Sequence, residues 1–210
     1  GQRLSELLDL GTRLSFFLMI LISVPIIIAT PDILQLWLTV YPDYAVAFVR
    51  ITLAIAIIQA MANPFVTAIS ATGNIRSYQL VVGSITLANI PVCYILLYCG
   101  LDPLWVYVAS LVMYVVTFII RLVFVRNKAH IAVRWLGITI VCRLAPIALI
   151  GFVVSYCLSI NIDTTTWLGL IIFSGTTCVF TLFLIYTIGL QKKERLFVHA
   201  FIQSKIFKKQ

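Results

Sequence analysis

Residues 102–126 read DPLWVYVASLVMYVVTFIIRLVFVR. An acid opens the stretch, a base closes it, and Arg121 is the only charge between them. A helix needs about 20 mostly apolar residues to cross the roughly 30 Å hydrocarbon layer of a bilayer. The run 104–125 has that length. Working outward, five further runs share the pattern, at about 11–30, 44–70, 78–99, 136–159 and 166–190. Asp32, Asp43, Asp102 and Asp163 fall in three alternate links that contain no Lys or Arg. The other links and both ends hold Arg3, Arg13, Arg76, Arg126, Lys128, Arg134, Lys192, Lys193, Arg195, Lys205, Lys208 and Lys209. A bilayer sorts polytopic proteins in this way, with Lys and Arg kept on the cytoplasmic side. The pattern predicts an all-α polytopic membrane bundle of six transmembrane helices over 1–190. Both termini are cytoplasmic, and a basic tail follows over 191–210.

The aromatic residues give the same orientation. Trp and Tyr prefer membrane–water interfaces. Trp37, Tyr41, Tyr44, Tyr98, Trp105, Tyr107 and Trp167 fall at the predicted outer ends, and Trp135 at an inner end. The chain is 62% hydrophobic and 10% charged, against about 25% charged residues in a soluble domain. The net charge of +8 lies beside apolar runs of spanning length. Anionic membrane lipids are therefore the expected partner and nucleic acid is not. Cys93, Cys99, Cys142, Cys157 and Cys178 lie in or at the edges of apolar runs, without a CxxC. They read as free thiols that behave as small apolar side chains. His130 and His199 are far from any cysteine, so no metal site and no cofactor are expected.

The links differ in character. Residues 31–42, PDILQLWLTVYP, are too few to cross, and Ile33, Leu36, Trp37 and Val40 share one helical face. They predict a short helix lying in the outer interface. Residues 71–77, ATGNIRS, predict a tight inner turn broken at Gly73 and Asn74. CGLDP at 99–103 and residues 161–165 predict short outer turns, and 126–135 a basic inner link. The tail carries six Lys/Arg against Glu194, with Leu196, Phe197, Phe201 and Phe207 roughly on one side. It is expected to lie along the anionic inner leaflet. The chain starts with Gly, and its first thirteen residues are polar and mixed in charge. They read as the linker from a preceding N-terminal part of the same protein.

Polar side chains recur inside the spans at helical spacing. Tyr107, Ser110, Tyr114, Thr117 and Arg121 form one stripe along the fourth span. Thr52, Gln59, Asn63, Thr67 and Ser70 form another along the second. Gln79, Thr86 and Asn89 cluster in the third, and Ser174, Thr177 and Thr181 in the sixth. Polar groups are unfavourable against lipid, so these faces are expected to meet other helices or water. Packing suits the third and sixth. For the fourth, packing and a hydrated cavity both remain open.

Arg50, Arg121 and Arg143 lie within or at the edge of spans. Arg121 is one turn from the inner end, within snorkelling reach of the headgroups. Arg50 lies about 9 Å inward of Tyr44 and Arg143 about 10 Å from the inner end. No Lys, Asp, Glu or His balances them in mid-membrane. A lumen built from this chain is therefore expected to be cationic and to suit phosphate or other anions. Arg50 stands on the face of its helix opposite Gln59 and Asn63, so the two cannot point squarely into one narrow cavity without local bending. Pro25, Pro64, Pro91 and Pro146 each fall inside a span and permit kinks. GxxxxGK[ST], HExxH and an acidic pair within one helix are all absent from the sequence, and no enzyme is expected.

The run SVPIIIATPDILQLWLTVYPDYAVAFVRI at 23–51, followed by NPFVTAISATGNIRSYQLV at 63–81, resembles the later half of polysaccharide flippases. These are the O-antigen and capsule repeat-unit transporters of the MATE-like multidrug/oligosaccharidyl-lipid/polysaccharide exporter superfamily. The matching elements are the Pro-Asp-Ile-Leu…Leu-Trp-Leu segment at 31–38 and the Ala-x-Gly turn at 71–73. The resemblance covers most of 10–125. It implies a two-lobed transporter of twelve to fourteen helices, of which this chain supplies about the last six. It also implies an undecaprenyl-diphosphate-linked oligosaccharide as cargo, a cationic central cavity, and an N-terminal lobe as partner in the bacterial inner membrane. Candidate substrate-binding residues are Arg50, Arg143, Gln59, Asn63, Tyr107, Tyr114 and Arg121. Two alternatives are an exporter of small cationic drugs and a membrane-embedded glycosyltransferase or polymerase using Asp43 or Asp102. The unpaired arginines disfavour the first and the short outer links the second.

Overall fold

The computed structural model describes residues 2–38, 40–71, 73, 75–129, 139, 143–190 and 195. Among them the chain is all-helical, with six helices. These are α1 (Gln2–Leu38), α2 (Ala45–Ala71), α3 (Arg76–Tyr98), α4 (Pro103–Ala129), α5 (Ala145–Asn161) and α6 (Trp167–Leu184). A π turn, Ile185–Gly189, continues α6. Five of the six are long and apolar enough to cross a membrane, and α5, at 17 residues, is apolar but shorter. Of the expected basic link 126–135, residues 126–129 continue α4; the rest of it, with His130, Arg134 and Trp135, lies outside the described residues, as do Asn74, Cys142 and all of the tail but Arg195.

The first span is the largest correction. A helix over 11–30 followed by a separate interfacial helix over 31–42 was the expectation; one continuous helix of 37 residues is found. It begins at Gln2, so the polar stretch read as a linker is helical too. At 1.5 Å per residue α1 is about 55 Å long, against a hydrocarbon layer of roughly 30 Å. Pro25 and Pro31 lie inside it. A helix-interior proline cannot donate to the carbonyl four residues back, so the Leu21 and Ile27 carbonyls are freed. Neighbouring helices meet both of them. The Cys178 thiol of α6 donates to the Leu21 carbonyl at 3.5 Å. Arg50 Nε of α2 donates to the Ile27 carbonyl at 3.0 Å, which also accepts from the Thr30 hydroxyl at 3.3 Å. Cross-helix donors thus let the helix run through two residues that end helices elsewhere.

Pro146 is the second residue of α5, and the π-helical Arg143 and Leu144 directly precede that helix. Of the predicted span 136–159, residues 139 and 143–159 are described, and all of them are helical.

The bundle is two triplets joined along α1 and α2: α5 and α6 pack on α1, and α4 packs on α2 and carries α3. Gly11 allows the close approach of α1 to α2; a Cβ there would stand 3.3 Å from Pro64 Cγ. Leu8, Phe65, Ala68, Ile69, Tyr78 and Val125 form one buried cluster. Phe16, Phe17, Ile20, Val24, Met61, Leu144, Ile147 and Leu184 form a second. Contacts also gather the links into two opposite ends. At one end the Thr164 hydroxyl donates to Asp32 at 2.5 Å and Tyr44 to Asp102 at 3.3 Å. At the other, Arg13 reaches the end of the π turn and Thr139 donates to Asp9 at 3.1 Å. The four link aspartates therefore share an end of the bundle.

Arg13 departs from its expected place among lipid headgroups. It is 2% exposed, pairs with Asp9 at 2.9 Å, and donates to the Gly189 carbonyl at 3.2 Å. Carbonyls at a helix C-terminus lack intrahelical donors and carry the negative end of the dipole, so a guanidinium fits there. The approach is close enough that a Cβ on Gly189 would lie 2.6 Å from the Phe17 ring.

Candidate functional site

The stripe of α4 faces inward. Tyr107 stacks on Phe48 of α2, with ring centroids 4.2 Å apart at 16°. Phe48 stacks in turn on Tyr44, which donates to Asp102. The charge of Asp102 opposes a phenolate there, and its hydrogen bond holds the proton, so the pKa of Tyr44 is raised. Ser110 accepts from the Asn89 amide at 3.1 Å and donates to the Val106 carbonyl at 2.9 Å. Tyr114, Thr117 and Met113 meet Ile85, Thr86 and Asn89 around a cavity of about 30 Å³, room for water and not for a sugar. Thr117 is buried, and Arg121 is half-buried with no acceptor for its Nε among the described residues. Of the two readings left open for this stripe, helix packing is what these contacts form.

The stripe of α2 faces the other way. The packed face of that helix is Met61, Ala62, Phe65, Ala68 and Ile69. Thr52, Asn63, Thr67 and Ser70 are exposed and Gln59 is half-buried; at 100° per residue they lie opposite the packed face. Thr67 and Ser70 donate to the Asn63 and Val66 carbonyls of their own helix, at 3.1 and 2.9 Å. The carboxamides of Gln59 and Asn63 carry the larger unmet hydrogen-bonding capacity. The result is a polar wall along one helix with nothing of the described bundle in front of it.

The arginines are dispersed. Arg50 sits in the seam of α1 and α2, exposed, with its Nε on the carbonyl that Pro31 frees. Arg143 is half-buried beside Leu144, which packs against Phe16, Phe17 and Ile20. Measured along α1, these positions are roughly 15 Å apart. The seven candidate residues thus form a pair on the outer face of α2, a trio on the inner face of α4, and two separate arginines. In α3, Gln79 and Thr86 are exposed while Asn89 serves α4. In α6, Thr177 and Thr181 are fully buried.

Sequence reasoning missed the Asp9–Arg13 pair. Its i, i+4 spacing is the signal that could have found it. At the aspartate end, Asp163 accepts from the Thr165 N–H at 3.0 Å and hydroxyl at 2.6 Å. Those bonds favour the ionised form and lower the pKa of its carboxyl. No known protein family, curated protein or solved structure matches the chain.

Proposed function

We propose that the chain is the C-terminal portion of a transporter that flips undecaprenyl-diphosphate-linked oligosaccharide across the bacterial inner membrane for surface polysaccharide synthesis. In this reading the aspartate end faces outward and both termini are cytoplasmic, as the sorting of Lys and Arg favours. The observation that carries the reading is the polar wall of α2. The exposed Asn63 carboxamide and the exposed hydroxyls, with Gln59 half-buried beside them, are unfavourable against hydrocarbon at membrane depth, so the wall fits a path for a polar headgroup. Amides and hydroxyls in line suit sugar hydroxyls, which both donate and accept. Arg50 lies on the opposite side of the same helix, in the α1–α2 seam, and stands outside this path. A preceding N-terminal lobe closes the path from the other side.

The test is a Gln59→Leu, Asn63→Leu, Thr67→Val triple variant of the full-length protein in its own host. The expected result is loss of surface polysaccharide, with lipid-linked oligosaccharide retained in the inner leaflet, at unchanged amounts of protein in the membrane. Normal polysaccharide from that variant removes the reading.

A further inference from the structure

Arg50 carries donors that neither the core nor the polar wall of α2 takes up. Its Nε donates to the Ile27 carbonyl at 3.0 Å. A guanidinium has five N–H donors, so four remain. Among the described residues they meet no acceptor, and no carboxylate pairs with the group. Arg13, by contrast, is buried on Asp9 and the Gly189 carbonyl. Arg50 is exposed.

The seam also sets where the spare donors stand. The short link between α1 and α2 makes the two helices antiparallel, and the approach of Gly11 to Pro64 fixes their register. Ile27 lies sixteen residues along α1 from Gly11, and Phe48 lies sixteen residues back along α2 from Pro64. Ile27 is therefore level with Phe48. Its carbonyl, like every helix carbonyl, points on toward the C-terminal end of its helix, which here is the aspartate end. To meet it, Arg50 reaches about 3 Å toward that end from its own Cα. Tyr44, bonded to Asp102 at that end, is six residues from Arg50, or about 9 Å. The guanidinium is thus held about 6 Å short of the level of Tyr44, just inside the interface that tyrosines favour.

On the other side of Arg50 the seam turns apolar. Leu53 and Ile57 follow at three and seven residues, on the same face of α2, and both are half-buried. A cation near the interface above a partly open apolar strip matches a phospholipid, with phosphate at the arginine and an acyl chain along Leu53 and Ile57. Guanidinium and phosphate pair through parallel N–H···O bonds. With no carboxylate to neutralise it, the arginine favours a headgroup of net negative charge.

We infer that the α1–α2 seam binds one anionic phospholipid of the leaflet at the aspartate end, its phosphate on the Nη donors of Arg50. The Ile27 carbonyl, freed by Pro31, holds the guanidinium in place. The site lies across α2 from the polar wall. It rests neither on the cargo nor on which side of the membrane the aspartate end faces.

Crosslinking reads the site directly. p-Benzoylphenylalanine replaces Leu53 in the full chain, in nanodiscs of equal parts phosphatidylglycerol and phosphatidylcholine, and mass spectrometry identifies the lipid attached. Phosphatidylglycerol is expected to exceed phosphatidylcholine roughly tenfold, the preference that one charge-assisted hydrogen bond supports. The same probe at Val112, exposed on α4, is expected to return the equal ratio of the bilayer. Arg50→Gln is expected to bring position 53 to that ratio too. Equal crosslinking of both lipids at position 53 with Arg50 intact means that the arginine only snorkels, and overturns the site. Crosslinking to protein alone also overturns it, since another part of the protein or a second copy then covers the seam. Loss of the preference in excess inorganic phosphate, against chloride at the same ionic strength, shows a free-anion site and overturns the lipid. Where Arg50→Gln does not fold, the ratio at position 53 with Arg50 intact decides alone.

Discussion

Helices α2 and α4 are both 27 residues long and each carries five polar residues on one face, yet they use those faces in opposite senses. On α4 the polar side meets Phe48, Asn89 and a small cavity, while Trp105, Val112, Val116, Ile119 and Val123 are exposed. That is the arrangement lipid favours. On α2 the apolar side is packed, and Asn63, Thr67 and Ser70 stand exposed. The spacing of polar residues thus identifies a face and leaves its direction open. Partners decide the direction: α4 has α2 and α3 on its polar side, and α2 has α1 and α4 on its apolar side. The outer face of α2 is poorly suited to meet a lipid chain.

The contrast can be broken in several ways. Phe65 is fully buried on the packed face of α2, and Phe65→Ala is expected to destabilise the bundle by about 3–5 kcal/mol. Thr67→Ala, two residues on, is expected to change it by less than about 0.5 kcal/mol. Unfolding of both variants in mild detergent checks the pair, and equal losses mean the face assignment is wrong. Membrane insertion gives the next largest effect. Ile119→Lys puts a charge on the lipid side of α4 and is expected to cost about 2.5–3.5 kcal/mol in a glycosylation-mapped insertion assay. Asn63→Lys on the polar wall of α2 is expected to cost clearly less in the full-length protein. Equal penalties show that lipid covers both faces, which ends the comparison.

Smaller effects sharpen it. Asn89→Leu removes the amide that Ser110 accepts from, and about 0.5–1 kcal/mol is expected to go with it, the usual range for a bond between helices in a membrane. The smallest effect concerns the aspartate end. The carboxyl of Asp163 is held below its ordinary value by the Thr165 hydroxyl and N–H. Its stabilisation is complete above the ordinary carboxylate pKa of about 3.9 and is lost as pH falls through the lowered value. The unfolding midpoint of Asp163→Asn is therefore expected to depend less on pH between about 5 and 3 than that of the unaltered chain. Indistinguishable profiles remove Asp163 from that account.

Spans bounded by turn residues were legible in the sequence. The predicted 44–70, 78–99 and 104–125 correspond to α2, α3 and α4 within a few residues. Gly73, Gly100 and Pro103 punctuate them, and both glycines take the positive φ that such turns need. The predicted 166–190 corresponds to α6 with its π turn. The course of α1 was not legible. Local chemistry says that Pro31 ends a helix, and the donor that keeps it going, Arg50, arrives from another helix. The burial of Arg13 was hidden for the same reason, because its acceptor at Gly189 lies 176 residues away. Of the candidate site, sequence supplied the faces of α2 and α4 and missed that they point apart.

The two freed carbonyls of α1 also set an order of assembly. The donor to Ile27 is 23 residues downstream and the donor to Leu21 is 157. At a synthesis rate of roughly 5–20 residues per second, the first becomes available after about 1–5 s and the second after about 8–30 s. For most of its birth at the ribosome, then, the first helix carries a backbone oxygen whose partner is not yet made. Its final shape belongs to the completed chain and not to the nascent one.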